Sequence, residues 1–125
     1  MENLKNSLNW FEIPVKDFER AKKFYSTIYD YEMPSTVMGE TTLGFLLVEQ
    51  GGIGGAIAMG PGYEPSGSGT LVYLNGGEDL QIVLDRVEAA GGKIEVSKTN
   101  ITPDLGYFAI FSDIEGNRVA LHSMS

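Results

Sequence analysis

The stretch Leu8 to Tyr31, LNWFEIPVKDFERAKKFYSTIYDY, decides the fold, and it occurs twice in outline. From Thr70 to Lys93, TLVYLNGGEDLQIVLDRVEAAGGK repeats its order of strand, short turn and helix. In the first copy Phe11, Ile13 and Val15 alternate with Trp10, Glu12 and Pro14, the period of a strand over Leu8 to Val15 with two unlike faces. Pro14 has no N–H to give to a ladder, so the strand is expected to end there or to lie on a sheet edge. Asp17 is placed to cap a helix by accepting from free backbone N–H groups. Phe18, Ala21, Phe24, Tyr25 and Ile28 then come at helical spacing as one apolar stripe. That stripe is expected to cover Phe11, Ile13 and Val15, which leaves the Trp10 and Glu12 face open.

The second copy predicts a strand over Thr70 to Asn75, a turn at Gly76-Gly77 and a helix from about Glu78 to Ala90. Leu80, Val83, Leu84 and Val87 form its stripe, and Gly91 suits the left-handed position after a helix end. The segments after the two copies also correspond. Tyr31 to Met38 carries a weak strand pattern interrupted by Pro34, and Thr42 to Glu49 and Ile53 to Met59 read as strands joined by Gln50-Gly51-Gly52. Gly54-Gly55 predicts a bulge or a close backbone approach. Lys93 to Lys98, Gly106 to Ser112 and Arg118 to Ser123 read as strands of the second copy, the last two joined across Gly116. Leu43-Gly44-Phe45 is answered by Leu105-Gly106-Tyr107, 62 positions later. A repeat at that distance in a 125-residue chain means two copies of one supersecondary unit.

The expected class is therefore α+β, with two tandem βαβββ modules forming a curved mixed sheet around a central cavity. Residues 1–125 are expected to form a single domain: module one at about 7–59, a Gly/Pro/Ser-rich linker at about 60–69, and module two at about 70–125. A chain of this length is too short for two independent cores, so the modules must share one. Twisted sheets curl, and the face away from the helices becomes a trough. Trp10, Glu12, Thr70, Val72, Ala120 and His122 are the residues expected to point into it.

Nine Lys and Arg against seventeen Asp and Glu give a net charge of -8, and no basic run offers a face for nucleic acid. The chain has no Cys, which removes disulfides, thiolate nucleophiles and Cys-ligated metals and suits a reducing cytoplasm. The opening MENLKNSLNW lacks a basic segment followed by an apolar core, and no apolar run has the length of a bilayer span. A cytoplasmic protein with no membrane partner is the expectation.

The paired βαβββ pattern, the phrase NWFEIPVKDFERAKKFY with its Asp-x-x-x-Ala and Phe-Tyr, and the closing SDIEGNRVALHS resemble the vicinal oxygen chelate superfamily. That superfamily includes glyoxalase I, bleomycin resistance proteins, fosfomycin resistance enzymes and extradiol dioxygenases, and the likeness is nearest to small glyoxalase-like bacterial proteins. The resemblance implies the glyoxalase/bleomycin resistance/dioxygenase fold and a homodimer. It also implies where a metal would be held, on the first and last strands of each module. Carried over by position, those ligands fall on Trp10, Thr70, Ala120 and about Ala56, none of which has a metal-donating side chain of the usual kind. No metal and no cofactor are therefore expected, although a displaced site stays open.

Two residues further along the same strand faces stand Glu12 and His122. They are candidates for catalytic proton transfer, because a His beside a carboxylate titrates near neutral pH. Trp10, Thr70, Val72, Tyr107 and Ala120 are the candidate ligand-binding residues, with Trp10 and Tyr107 offering rings for stacking. Three functions fit this pattern: a metal-free pocket that binds or sequesters a small organic ligand; an isomerase or lyase using Glu12 and His122 or a displaced metal; and an interaction module with a filled trough.

Overall fold

The computed structural model describes residues 3–125, so the first two residues of the MENLKNSLNW opening lie outside the described residues. Module one comprises β1 (Phe11–Pro14), α1 (Phe18–Tyr29), β2 (Ser35–Met38), β3 (Thr41–Phe45) and β4 (Gly55–Met59). Module two comprises β5 (Tyr73–Asn75), α2 (Gln81–Leu84), β6 (Lys93–Thr102), β7 (Gly106–Ser112) and β8 (Arg118–Ser123). The strands form two mixed sheets of identical order, β1-β4-β3-β2 and β5-β8-β7-β6. In each, the first strand runs parallel to the last, and the other pairs are antiparallel. The sequence repeat is thus a repeat of topology.

Helix α1 forms as its spacing predicts. Asp17 accepts from Arg20 N, and Asp30 closes the helix in the left-handed region at φ 52°. The stripe Phe18, Ala21, Phe24, Tyr25 and Ile28 is buried against Ile13, Val15 and Ile57, in one hydrophobic cluster that also takes Leu74, Phe111, Val119 and Leu121 from module two. The two modules therefore share a core across their helix sides, with the Phe24 and Phe111 rings 6.0 Å apart.

Several elements depart from expectation. The α-helical part of the second copy is only Gln81–Leu84, not Glu78 to Ala90. Its N-cap residue, Leu80, has no capping side chain, although Asp79 Oδ1 accepts from Gln81 N at 2.9 Å, and beyond Leu84 the chain tightens into turns in which Arg86 N and Val87 N bond back three residues. Leu80, Val83, Leu84 and Val87 are nevertheless all buried, so the stripe reaches the core without a full helix to carry it. Strand β1 is shorter than Leu8 to Val15, and β6 runs on to Thr102, past Lys98. Gly55 sits in regular parallel register opposite Phe11 rather than in a bulge. A Cβ there would fall 2.4 Å from the Phe11 ring, so it is a side chain, not a passing backbone, that demands glycine.

The match of Leu43-Gly44-Phe45 to Leu105-Gly106-Tyr107 is not the structural one either. Gly44 pairs with Ile57 on β4, and the corresponding rung of module two pairs Ala109 with Leu121 on β8. Gly44 is in mid-strand beneath α1, whereas Gly106 opens β7 at φ 81°.

Candidate functional site

The seam between the modules is held by the turn Asp113 to Asn117, which docks on the turn between β1 and α1. Asn117 is buried, donates from Nδ2 to Pro14 O at 2.7 Å, and accepts from Ser66 N of the linker at 2.9 Å. The side-chain carboxylate of Glu115, only 1% exposed, accepts from Lys16 N, Asp17 N and the Arg20 guanidinium. Arg20 is pushed above its ordinary pKa first by that hydrogen bond. Asp113 accepts from Tyr25 Oη at 2.7 Å and from the backbone of Glu115 and Asn117, yet burial outweighs these bonds and pushes its carboxyl above the ordinary range.

Beside this clasp a cavity of about 320 Å³ opens where β1 passes the segment leading into β5 and the start of β8. Phe11, Ile13, Pro14, Val72 and Val119 make apolar walls, and Glu12, Glu64, Thr70 and Arg118 bring polar groups to it. Its size and mostly apolar lining are those of a small-ligand site. A second cavity of about 630 Å³ is more open and lies between the β3–β4 connection and the turn after β5, away from the candidate residues.

Glu12 faces the open side of sheet one. Its Oε1 accepts from Tyr63 Oη at 2.6 Å and its Oε2 from Trp10 Nε1 at 3.3 Å. The bond to Glu12 raises the Tyr63 pKa above the usual phenol value. His122 lies on β8, and since a carbonyl can only accept, its Nε2–H donates to Leu105 O at 2.6 Å. Glu12 and His122 are thus each engaged elsewhere, and no hydrogen bond or ion pair joins them among the described residues.

The remaining expected residues divide. Trp10 is 44% exposed, edge-on to Phe45 at 6.2 Å. Ala120 is buried opposite Tyr73 and Ile110. Val72 does not face the open side: it packs against the shared core, and it reaches the seam cavity from there. Thr70 precedes β5 and also lines the seam. Tyr107 is likewise on the core side, with the Lys98 ammonium 4.6 Å from its ring centroid, and it is not part of the seam lining. The physical reason is register. Glu12 opposite Ala56 matches Tyr73 opposite Ala120, so Trp10 corresponds to Leu71 rather than Thr70, and a slip of one residue turns every side chain to the other face.

Sequence reasoning missed Tyr63, Phe45, Tyr73 and Arg118. Tyr63 had one available signal, as the sole aromatic residue in GPGYEPSGSG, and Phe45 could be placed by its alternation with Leu43.

The sequence model of the Glyoxalase/Bleomycin resistance protein/Dioxygenase superfamily matches residues 7–121. The chain belongs to that superfamily. A glyoxylase-like domain-containing protein of Didymella fabae is 28% identical, with 94% of each chain covered. Among solved structures, a glyoxalase/bleomycin resistance protein from Albidiferax ferrireducens T118 superposes with a TM-score of 0.69 at 17% identity, covering 96% of this chain and all of that one. TnmS3, an antibiotic binding protein from Streptomyces sp. CB03234, superposes with a TM-score of 0.64 at 25% identity, covering 98% and 100%.

Some members of the superfamily work with a metal, and the residues here do not fit one. The positions that would supply donors carry Trp10, Thr70 or Leu71, Ala56 and Ala120. Glu12 is the nearest carboxylate in register, and no group of three His, Cys, Asp or Glu side chains is suitably gathered among the described residues. No helix among them is long and apolar enough to cross a membrane.

Proposed function

We propose that this superfamily member binds or sequesters a small organic ligand in the seam cavity, without a metal, and does so as a homodimer. The observation that carries the reading is the cavity itself, an apolar-walled space with the polar groups of Glu12, Thr70 and Arg118 at its margin. It is supported by the likeness to an antibiotic binding protein over nearly the whole of both chains. Support for a dimer comes from edge strand β2, where Val37 and Met38 are 68% and 63% exposed beside an unpaired backbone ladder. Proton transfer between Glu12 and His122 has no comparable support, because each already has other partners.

The test is titration with Nile red, a neutral dye whose emission rises in apolar surroundings. Saturable binding is expected, and Val72→Phe, which fills the cavity from its core side, is expected to remove it. Dye binding that survives Val72→Phe unchanged would place the ligand elsewhere.

A further inference from the structure

On the open face of sheet one, strand pairing puts Glu12, Ala56 and Phe45 on a single rung across β1, β4 and β3. Two strand spacings, about 10 Å, separate the outer pair. Because the middle position is only a methyl group, the space above the rung is left to larger side chains from elsewhere. Tyr63 of the linker fills part of it, packed on Leu43, Ala56 and Ala58. Trp10 stands edge-on to Phe45. Two aromatic side chains, Tyr63 and Trp10, thus donate to one carboxylate, and Phe45 stands edge-on to Trp10.

No cationic side chain among the described residues pairs with that carboxylate. Both of its hydrogen-bond donors, the Tyr63 hydroxyl and the Trp10 indole, are neutral. The ion pairs among the described residues use Asp17, Glu64, Asp79, Glu95 and Glu115, and none uses Glu12. An ionised carboxylate has room for about four acceptor contacts, and two are taken. Ring faces carry negative potential, and a carboxylate among them adds to it, an environment that attracts a cation and repels an anion. A net charge of -8 draws cations from farther away.

We propose that Trp10 and Tyr63 beside Glu12, with Phe45 next to Trp10, hold the charged end of an organic cation, a protonated or quaternary amine. Its apolar body extends into the seam cavity, which Glu12 also lines. This inference rests on the ligand-binding reading of that cavity. Tyr63, whose hydroxyl donates to Glu12, gives way to the incoming cation or shares the carboxylate with it.

Trp10 is the sole tryptophan, so its emission reports on the site without any label. The intact protein is titrated with choline and with 3,3-dimethylbutan-1-ol, which has the same shape and no charge. The expected result is about tenfold tighter binding of choline, a preference that Glu12→Gln abolishes and that Glu19→Gln, on the exposed side of α1, leaves intact. Equal affinity for the two probes, or an equal loss in both variants, overturns the inference. If Nile red still binds and Val72→Phe still removes it, the cation site alone has failed. If the dye does not bind either, the ligand-binding reading falls with it.

Discussion

Removing the Glu115 carboxylate tests whether the two modules are fastened where the structure fastens them. Glu115 lies in the turn between β7 and β8 and accepts from two backbone N–H groups and one guanidinium of module one. Hydrogen bonds to a charged group contribute about 1.5–3 kcal/mol when buried. The Arg20 side chain is 48% exposed, so water screens its share. The remainder comes from Lys16 N and Asp17 N, with a further contribution of about 0.3–1 kcal/mol from a negative charge at the N-terminus of α1. Glu115→Ala is therefore expected to cost about 2–3 kcal/mol, lowering the urea midpoint by about 1–2 M at an ordinary m-value. Glu115→Gln, which keeps an acceptor and loses the charge, should fall between the two. The control is Glu64→Gln, because the Lys16–Glu64 pair is 58% and 73% exposed and should change stability by less than about 0.5 kcal/mol. Far-UV circular dichroism and Trp10 emission recorded in the same urea series give both the magnitude and a check that one transition is observed. A Glu115→Ala loss no larger than that of Glu64→Gln would show that the clasp contributes nothing and that the shared core alone joins the modules.

Two more outcomes are expected. Burial raises the Asp113 carboxyl above its ordinary value of 3.8, so the unfolded chain ionises first. Its contribution to stability is fullest in acid and is lost as pH rises from about that value through the raised folded one. Urea unfolding of the native protein and Asp113→Asn at a series of pH values should show the native protein losing ground to the variant across that window. A difference that grows in the native protein's favour as pH rises would mean that Tyr25 and Asn117 overcome desolvation. For the proposed homodimer, sedimentation at micromolar concentration should give twice the chain mass, and Val37→Lys on β2 should shift it to monomer; a native chain that sediments as a monomer refutes the assembly.

How much of this was legible in the chain depended on whether a pattern has one phase or two. In NWFEIPV, apolar and polar residues alternate, so the faces of β1 could be assigned correctly and Ile13 and Val15 are buried as that pattern requires. In TLVYLN both phases are apolar. The strand was recognisable there, but its face was not, and Thr70 and Val72 were expected on the side that Tyr73 and Asn75 share with Ala120 and His122. The stripe of the second copy was readable for the same reason as that of the first, while the length of its helix was not, because a stripe records which residues are buried and says nothing of how many of them keep helical hydrogen bonds.

By itself, then, the sequence determined two βαβββ units, their order, the need for one core between them and the superfamily, since periodicity and repetition are local properties that survive without coordinates. Only the tertiary structure decided the register of β5 against β8, the reach of the linker that brings Tyr63 onto Glu12, and the separate engagements of Glu12 and His122. Those depend on contacts between residues far apart in the chain, where a shift of one position reverses a face and no local pattern records it.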